Sequence, residues 1–427
     1  MKNCAFTIVA KNYIGLARIL ESSIKQYYTE FDFFIMVADE ISDDIRQEFP
    51  SNVLIAKECI GIEEEQWQNM SFKYDLTEFC TSIKPISCLY FFGNYDYDNV
   101  IYLDPDIYFF DSIGKIYDEL NNCCVMLTPH LTQMMPVGIT DSPESVWHSC
   151  GMFNLGFCGL HRADKTMRML NWWHERLINQ CFNDPYSALF TDQKWMDFIP
   201  CFFSSNELLI SFHLGMNMAP WNFCERKVAE NNGKFYVSPR LSVDTTYPLI
   251  FVHYSGYNYA MLKKGKVCQN NIDGIRDYED IKLLSAVYSE AISKDAEVFD
   301  SFITLQYSYN QFEDGSNILK MHRRLYRALC DRGELFDNPF CTEGKFYKLL
   351  RKSGFLSKVN VYTDKMTRKT APGVSNKLVV FNRLTRFLFN FLGFERYMLL
   401  IRLFRPYSRF ESQIHLVDKK YMSNNIL

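Results

Sequence analysis

Short apolar runs alternate with helical patterns over the first part of the chain. Residues 5–10 and 33–38 are continuous runs rich in strand-forming side chains, and the apolar residues between them recur at helical spacing. Residues 53–56 have the pattern of a third strand, and residues 82–92 that of a helix with Lys84 near its start. This alternation predicts a βαβ unit with parallel strands.

The ends of the first two predicted strands carry polar side chains. The carboxyl ends of parallel strands open onto one crevice, so we expect residues 10–13 and 38–40 to lie at the same rim of the sheet. The rim would include Ala10, Asn12, Tyr13 and Asp39.

Two aspartates interrupt the most apolar stretch of the chain. Residues 100–103 read as a buried strand, Asp104-Pro105-Asp106 follows, and residues 107–110 resume the apolar pattern. Proline fixes the backbone between the two carboxylates, so both can be directed beyond the strand end. Such oxygen ligands suit a hard divalent cation that also binds substrate phosphates. The alternative is an ordinary exposed turn, because Asp and Pro are common turn residues.

The pattern continues as α/β to about residue 255. It predicts a helix at 113–120, a strand at 123–128, a strand at 152–160 containing Asn154, and a helix at 163–181. Residues 129–150 contain three prolines and little periodicity, which indicates a loop that could close over a ligand. Thr191 is an expected N-cap for a short helix that carries Asp192 and Gln193.

A histidine follows the last predicted strand of this region. Residues 208–210 and 249–254 have strand patterns, and the second ends at His253. A lone histidine at a strand end is usually structural, yet a third ligand is what an Asp-x-Asp site lacks, and imidazole suits Mn²⁺. His130 and His213 are alternative candidates.

A length of 427 residues predicts more than one structural unit, and helices are expected at 274–300 and 303–333. After residue 345 the chain becomes strongly basic. Residues 345–427 contain 17 Lys plus Arg and 4 Asp plus Glu, whereas the whole chain has a net charge of -4. The mixture of basic and apolar residues at helical spacing fits two kinds of helix. The helices could lie on an anionic membrane surface, or they could keep a solvated basic face and pack against residues 1–344, which are acidic overall. No nucleic-acid module accompanies the charge.

The compartment is inferred from cysteines and from missing targeting signals. The 14 cysteines show no repeated Cys-x-x-Cys spacing, which favours free thiols in a reducing compartment over disulfides or zinc. The apolar run near the N-terminus is too short for a signal peptide, and no run is long enough to span a membrane. We therefore expect a cytoplasmic protein, with peripheral contact at the inner face of the membrane through the basic region.

Several motifs, taken in order, resemble a known family. They are the first strand with Tyr13, Tyr-Leu-Asp-Pro-Asp-Ile at 102–107, Phe-Asn-Leu-Gly-Phe at 153–157, Asp-Gln at 192–193, and His-Tyr-Ser-Gly at 253–256. In this order the chain resembles GT-A-fold glycosyltransferases, especially retaining family 8 enzymes and related bacterial polysaccharide-cluster enzymes. The resemblance implies a Rossmann-like mixed sheet flanked by helices, with a helical basic C-terminal extension. Its segments would be a catalytic domain at 1–265, a helical extension at 266–340, and a basic, aromatic-rich region at 341–427.

The resemblance also implies roles for individual residues. Asp104, Asp106 and His253 would bind Mn²⁺ or Mg²⁺. Asp192 and Gln193 would lie beside the anomeric carbon as catalytic residues. The remaining predicted positions would bind the nucleotide-sugar donor: Ala10, Asn12, Tyr13, Asp39, Lys84, Asp104, Asn154 and Gly256.

One motif of that family is absent. Family 8 enzymes commonly continue His-x-x-Gly with Lys-Pro-Trp, whose lysine meets the diphosphate. Here Gly256 is followed by Tyr257-Asn258-Tyr259, and the next cations are Lys263 and Lys264.

The expected activity is metal-dependent transfer of a sugar, with retention, from a nucleotide-sugar such as a UDP-sugar to a glycan or lipid-linked glycan. One alternative is a sugar-phosphate nucleotidylyltransferase, although the Gly-rich basic loop that such enzymes carry after the first strand is missing from residues 11–15. Another is a non-catalytic scaffold that binds sugar nucleotides.

Overall fold

The computed structural model of the chain describes residues 1–242, 245–272, 275–356 and 373–422. The chain divides into two compact units. Unit 1 comprises Met1–Ile62 and Leu76–Tyr307, and unit 2 comprises Glu63–Asp75 and Ser308–Leu427. The boundaries of these two units differ from those of the three expected segments, 1–265, 266–340 and 341–427. Those segments are divided by expected function, and their assignment remains a prediction.

All the described strands belong to unit 1. In chain order they are β1 (Asn3–Val9), β2 (Asp32–Val37), β3 (Val53–Ile55), β4 (Asn99–Leu103), β5 (Ile107–Phe109), β6 (Val125–Leu127), β7 (Phe157–His161), β8 (Asn183–Asp184), β9 (Leu189–Phe190), β10 (Leu208–Ile210), β11 (Arg226–Asn231), β12 (Lys234–Pro239), β13 (Tyr247–Pro248) and β14 (Phe251–His253).

Seven of these strands form a mixed sheet at the centre of unit 1. Their order is β10-β6-β7-β4-β1-β2-β3, and every neighbouring pair is parallel except those that involve β7. The carboxyl ends of β1, β2 and β4 therefore lie along one edge, where an open α/β sheet binds its ligands. The predicted α/β class, with a mixed sheet flanked by helices, is confirmed.

The described helices lie in both units. They are α1 (Ile14–Lys25), α2 (Asp43–Arg46), α3 (Ala56–Cys59), α4 (Glu64–Lys73), α5 (Leu76–Ser82), α6 (Lys84–Asn94), α7 (Gly114–Leu120), α8 (Ser145–Cys150), α9 (Asp164–Gln180), α10 (Ile199–Phe202), α11 (Tyr259–Leu262), α12 (Glu279–Lys294), α13 (Ala296–Asp300), α14 (Lys320–Cys330), α15 (Lys345–Lys352), α16 (Val374–Phe404) and α17 (Ile414–Val417). Helices α4 and α14 to α17 belong to unit 2.

The core of unit 1 follows the predicted apolar pattern. Ile14, Leu20 and Ile24 of α1 are fully buried and join the core cluster that contains residues of β1, β2 and β4. Burying such a side chain contributes about 1.5–3 kcal/mol relative to leaving it exposed. The predicted strand–helix–strand start is confirmed.

The structure of unit 1 departs from the sequence prediction in two places. The loop expected at 129–150 ends in helix α8 (Ser145–Cys150). The β11–β12 hairpin was not predicted, although its turn is Asn232-Gly233, with positive φ values of 52° and 77°. Asn-Gly is a strong sequence signal for such a two-residue hairpin turn, because both positions require positive φ.

A buried arginine organises unit 2. Arg323 of α14 donates hydrogen bonds to the carbonyl oxygens of Ser71, Phe72 and Tyr74 at 3.1, 2.6 and 2.7 Å. These carbonyls lie at the C-terminal end of α4. The last carbonyl oxygens of a helix have no N–H donor within the helix, so they need a partner from elsewhere. Arg323 therefore joins the discontinuous segment 63–75 to the rest of the unit.

The basic C-terminal region is structurally heterogeneous. Phe346 and Leu350 of α15 and Ile414 and Val417 of α17 are buried in the core of unit 2. Helix α16, in contrast, contains no buried residue and has non-helical backbone at Gly393. Within the described part of the chain, no helix combines the length and apolarity required to cross a membrane.

Candidate metal and donor site

Backbone pairing brings His253 to the turn between Asp104 and Asp106. Strand β14 pairs antiparallel with β5, so that His253 lies opposite Ile107. The Tyr254 N–H donates to the Asp106 carbonyl at 2.9 Å, and the Asp104 N–H donates to the Gly156 carbonyl at 2.7 Å. Residues about 150 positions apart in sequence thus meet at the carboxyl end of β4.

The three predicted metal ligands form one cluster. His253 Nε2 lies 3.6 Å from Asp104 Oδ2 and 3.0 Å from Asp106 Oδ1. One ligand atom from each residue lies within 4.8 Å of the others. The two carboxylates keep 30% and 19% of their side-chain surface exposed, whereas His253 is buried. This is the donor set, two oxygens and an imidazole nitrogen, that a divalent cation such as Mn²⁺ can use.

Asn154 sets the orientation of the His253 ring. His253 Nδ1 lies 3.2 Å from Asn154 Oδ1, which also accepts hydrogen bonds from the Gly156 N–H at 3.1 Å and from Asn217 Nδ2 at 3.1 Å. Because this oxygen can only accept, Nδ1 carries the proton and donates. The Nε2 lone pair of the neutral ring is then directed at the two aspartates, as a metal ligand requires.

The position of Asn154 corrects the predicted strand at 152–160. Strand β7 begins only at Phe157. Asn154 lies in the turn before it, because its side chain accepts from the backbone two residues on and so stabilises a turn in place of extended pairing. Asn154 is therefore buried behind His253, and its expected contact with the donor remains a prediction.

The charges of the cluster depend on one another. Burial raises the pKa of Asp104 by more than the nearby Lys84 ammonium and His253 lower it. Burial alone would lower the pKa of His253, but Asp106 and then Asp104 outweigh it and raise that pKa. The two aspartates thus favour positive charge at His253, the position beside which a cation would bind.

A second buried network supports Asp104 from the sheet side. The Tyr102 hydroxyl donates to Asp104 Oδ1 at 2.6 Å, and Lys84 Nζ lies 4.0 Å from the centre of the Tyr102 ring. Burial and the adjacent Asp104 raise the pKa of Tyr102, so the hydroxyl stays protonated and donates. Lys84 thus interacts with the metal site through the ring of Tyr102.

Lys84 is paired with Asp192 in the protein interior. Lys84 Nζ donates to Asp192 Oδ2 at 2.5 Å and to the Leu155 carbonyl at 2.8 Å, and both charged side chains are at most 3% exposed. Burial alone would lower the pKa of Lys84, but Asp192 and Asp104 outweigh it and raise the pKa, so the lysine stays charged. Removing one partner of such a pair typically costs about 3–5 kcal/mol.

The backbone before Asp192 differs from the predicted helix cap. Thr191 has φ of 46°, a left-handed conformation that is rare for a β-branched residue, and the 3-10 helix that follows begins at Gln193. The Thr191 hydroxyl donates to Asp192 Oδ1 at 3.2 Å. The expectation that Thr191 caps a helix is therefore wrong, because its hydroxyl binds the neighbouring carboxylate.

A cavity of about 430 Å³ opens beside the metal cluster. Its walls come from the end of β1, the start of α5, the aspartate turn, and the segment that follows β14. The polar and aromatic lining residues are Tyr13, Thr77, Thr81, Tyr102, Asp104, Asp106, His253, Ser255, Tyr257, Tyr259 and Asn271. None of the described lining residues is a lysine or an arginine.

The predicted site residues divide into two groups. Six of them line the cavity, namely Ala10, Tyr13, Asp104, Asp106, His253 and Gly256. The others lie outside its lining, namely Asn12, Asp39, Lys84, Asn154, Asp192 and Gln193. Asp39 is fully buried beside Lys11, and the Gln193 side chain donates to the Cys150 carbonyl at 2.8 Å. The functional roles of all these residues remain predictions.

The structure separates His253 from the two alternative histidines. His130 lies behind Asn154, stacked on Trp147 with ring centres 4.6 Å apart, and burial lowers its pKa to about 4. His213 packs against Tyr247. Of the three candidates, only His253 belongs to the cluster with Asp104 and Asp106 in the described part of the chain.

Three supporting residues were not singled out from the sequence. Tyr102 belongs to the quoted motif, and its place two residues before Asp104 on a strand could have shown that both share one face. Asn217 and Thr128, joined by a hydrogen bond of 2.8 Å, hold Asn154 from behind. No pattern in the sequence indicates that contact, because the residues come from separate loops.

Comparison with known proteins adds sequence relatives without an assigned function. No family model matches the chain. The uncharacterized protein YfnF of Bacillus subtilis (strain 168) is 25% identical over 267 residues, which cover 62% of this chain and 85% of that protein. The uncharacterized protein YfnD of the same organism is 23% identical over 267 residues, covering 61% and 80%.

Solved structures similar to this chain are glycosyltransferases. The galactosyltransferase LgtC, in complex with donor and acceptor sugar analogues, shares 14% identity over 72% of this chain and 98% of its own, with a TM-score of 0.39. A glycosyltransferase involved in glycosylation of the major capsid of PBCV-1 covers 61% of this chain and 96% of its own, at 12% identity and a TM-score of 0.35. Mouse xyloside xylosyltransferase 1 covers 51% and 88%, at 11% identity and a TM-score of 0.34. Because these TM-scores are below 0.5, we base the functional proposal on the geometry of the site.

Proposed function

We propose that the protein is a metal-dependent glycosyltransferase that transfers a sugar from a UDP-sugar to a glycan or lipid-linked glycan, with retention of the anomeric configuration. The observation that carries the proposal is the cluster of Asp104, Asp106 and His253 on the wall of a cavity of about 430 Å³ at the carboxyl end of the sheet. Cavities of this size accommodate small-molecule ligands.

The residues of the cluster fit Mn²⁺ or Mg²⁺. Two carboxylates and one imidazole are suitable ligands, and the Asn154 side chain leaves Nε2 of His253 available. A divalent cation held there supplies positive charge that stabilises a departing diphosphate.

The lining of the cavity makes the cation necessary for donor binding. Two aspartates face the cavity, and none of its described lining residues is a lysine or an arginine. Lys263, the first cation after His253, is paired with Asp300 at 2.5 Å. A nucleoside diphosphate would therefore face two carboxylates without a lysine or arginine among the described lining residues, which opposes its binding in a partly dehydrated site.

The cavity walls offer contacts for the remainder of the donor. Tyr13, just after β1, is 39% exposed as a residue and lines the cavity, where its ring can stack on a nucleobase. Ser255 and Asn271, joined by a hydrogen bond of 2.7 Å, offer polar groups for hydroxyls. We assign Ala10, Asn12 and Asp39 to the base and ribose side of the same rim.

The proposal of retention concerns Asp192 and Gln193. In the resemblance to family 8 enzymes these residues lie beside the anomeric carbon and stabilise the cationic sugar. In the structure the Asp192 carboxylate is buried in an ion pair with Lys84, so the proposed role requires Asp192 to act from behind the cavity wall. Determining the anomeric configuration of the product by NMR tests this part of the proposal.

The proposed location is the cytoplasm, at the inner face of a membrane that presents a lipid-linked acceptor. The excess of basic residues in 345–427 supports this location, because the cytoplasmic leaflet carries anionic lipids.

The nucleotidylyltransferase alternative receives no support from the first strand. Residues Lys11–Tyr13 form a single 3-10 turn after β1, and Lys11 Nζ donates to the Glu40 carbonyl at 3.1 Å. Such an arrangement differs from the glycine-rich loop whose backbone amides bind phosphates in nucleotidyl transfer.

Calorimetric titration of UDP, with and without Mn²⁺, tests the proposed function. We expect UDP to bind only when Mn²⁺ is present, and Asp106→Asn, which changes a proposed direct ligand, to weaken metal-dependent binding by at least about 100-fold, the upper end of the loss when only an outer hydrogen-bonding partner of a metal ligand is removed. The matched control is Asp111→Asn, which changes a nearby aspartate paired with Lys115 outside the cavity. Its UDP affinity should equal that of the wild type.

Two results would contradict the proposal. UDP binding of equal strength without metal would exclude the metal role and favour the non-catalytic scaffold, and no UDP binding under either condition would exclude a UDP-sugar as the donor. A panel of nucleotide-sugars, each incubated with Mn²⁺ and monitored for hydrolysis, then identifies the donor.

A further inference from the structure

Helix α16 (Val374–Phe404) exposes an unusual amount of apolar surface. None of its residues is buried, and Phe387, Phe391 and Phe394 are 63%, 76% and 66% exposed. Contiguous exposed apolar surface of this kind marks an interaction site in a folded protein. The helix also has positive φ at Gly393, 78°, which separates residues 374–392, here called the first arm, from residues 394–404, the second arm.

The first arm is amphipathic when it is considered without the second. At about 100° per residue, most of its large apolar side chains fall on one broad face, which also includes Lys377, whereas Val379 falls among the polar residues of the opposite face. This face contains Val380, Phe381, Leu384, Phe387, Leu388 and Phe391. The opposite face contains Asn376, Asn382, Arg383, Arg386 and Asn390. The break at Gly393 shifts the phase of the pattern, so the amphipathic character is lost when both arms are treated as one continuous helix.

The charge of α16 restricts the kind of surface it can bind. Its basic residues are Lys377, Arg383, Arg386, Arg396 and Arg402, and Glu395 is its single acidic residue. Arginines beside a wide aromatic and aliphatic face are typical of helices that lie in the plane of a membrane interface. The apolar face is also wider than the narrow two-position seam through which paired helices associate.

We infer that the first arm of α16 inserts its apolar face into the headgroup–acyl boundary of an anionic lipid bilayer, with Arg383 and Arg386 directed to the lipid phosphates. The inference deepens the proposed function, because it names the element and the lipid class that would bring the site to a lipid-linked acceptor. Because the helix is interrupted at Gly393, the second arm can lie in the plane of the same interface at a different angle from the first arm.

Point substitutions test the inference better than truncation, because α15 and α17 supply buried residues to the core of unit 2. The test variant is Phe381→Gln, Phe387→Gln, Phe391→Gln. The control is Asn376→Gln, Asn382→Gln, Asn390→Gln, which places three glutamines on the opposite face of the same arm. Neither set changes the net charge or a buried residue.

The measurement is co-sedimentation of the full chain with vesicles of phosphatidylcholine mixed with phosphatidylglycerol. We expect the phenylalanine variant to partition at least about 100-fold more weakly than wild type, since each buried aromatic side chain stabilises insertion. The asparagine variant should partition like wild type. Arg383→Gln and Arg386→Gln should each weaken binding about five-fold on anionic vesicles.

Equal co-sedimentation of the phenylalanine variant and wild type would overturn the inference. It would also be overturned if wild type does not bind vesicles but dimerises in light scattering, and the phenylalanine variant is monomeric, because a second copy would then cover the face. Metal-dependent UDP binding, measured on the same samples, reports on the proposed catalytic site independently. Loss of vesicle binding with normal UDP binding therefore tests the helix alone.

Discussion

Tyr102 contacts both a proposed metal ligand and a buried cation. Its hydroxyl donates to Asp104 Oδ1, and its ring lies beneath the Lys84 ammonium. Groups that hydrogen-bond to a metal ligand fix its direction, and their loss commonly lowers metal affinity by about 10- to 100-fold. Tyr102 should therefore affect metal binding although its side chain is not among the proposed metal ligands.

Tyr102→Phe is predicted to weaken Mn²⁺ binding by about 10-fold, because the ring over which Lys84 lies is retained and only the hydrogen bond to Asp104 is removed. Calorimetric titration of Mn²⁺ measures the change. The control is Tyr97→Phe, which removes a hydrogen bond of the same 2.6 Å length to Asp32, at the amino end of β2. Equal loss of Mn²⁺ affinity in both variants would contradict the assigned role of Tyr102.

The sequence predicts the proposed metal ligands better than it predicts the residues that hold those ligands in place. Residue type and position at a strand end indicate Asp104 and Asp106, whereas the resemblance to family 8 enzymes selects His253 over His130 and His213, and the structure brings the three residues Asp104, Asp106 and His253 together. Asn217 and Thr128 could not be predicted, because their contact with Asn154 depends on how separate loops pack. Periodicity reports which face of an element is buried, and it does not report which loops meet.

Among the elements, β14 and the turn before β7 are packed without space between them. A methyl group added at Gly156 would lie 2.4 Å from Cε1 and 2.7 Å from Nδ1 of His253. Real side-chain carbons do not approach so closely, so either the ring or the turn must move. The close contact of these two elements is what fixes the position of the imidazole.

Gly156→Ala is predicted to displace His253 and lower Mn²⁺ affinity at least about 10-fold, with destabilisation of about 1–3 kcal/mol from overpacking. Mn²⁺ titration and urea unfolding measure the two effects. Gly159→Ala is the control on β7 itself, because its new methyl group would lie 3.2 Å from the Met126 side chain, away from the metal cluster. Retained Mn²⁺ affinity in Gly156→Ala would show that the ring can bind metal from another position.

The helices and strands that are predicted correctly are those whose sequence patterns are local. Strands β1 to β4 and helix α1 were predicted because continuous apolar runs and helical spacing are local properties of the sequence. The strand expected at 152–160 begins later, since the Asn154 side chain binds the backbone of Gly156 and holds a turn. The β11–β12 hairpin is a further case of a local signal, because its turn is the Asn232-Gly233 pair and both positions have positive φ.

On the scale of the whole molecule, unit 2 contains a carboxylate that ties three segments of the chain together. Glu334 accepts hydrogen bonds from Lys345 at 2.6 Å and from Tyr421 at 2.8 Å, and also from Lys420. The hydrogen bonds from Lys345, Lys420 and Tyr421 lower the pKa of Glu334 from 4.5 to about 2. The folded state therefore favours the charged form more than the unfolded chain does.

This lowered pKa makes the stability of unit 2 sensitive to acid. The contribution is present above about pH 4.5 and is lost as the pH falls towards 2, because the unfolded chain binds the proton first. We predict that wild type loses about 1 kcal/mol more stability over this interval than Glu334→Gln does, a value limited by the solvent exposure of these partners. Urea unfolding at a series of pH values measures the difference.

Glu343→Gln serves as the control, because Glu343 belongs to the same unit and has an exposed ion pair with Lys348 at 3.1 Å. Its loss of stability between pH 4.5 and 2 should match that of wild type. Identical pH dependence in all three proteins would exclude the proposed contribution of Glu334.

The segment Glu63–Asp75 has a consequence for how the chain folds during synthesis. Its partners in unit 2 are synthesised much later. Trp67 Nε1, for example, donates a hydrogen bond of 2.6 Å to the Tyr309 hydroxyl, which lies 242 positions further along the sequence. Closing so large a loop is slow, and apolar surface is exposed until it closes. Trp67 and Phe72, both fully buried at the end, must therefore leave the ribosome long before the residues that cover them, and in that interval they are natural targets for chaperones.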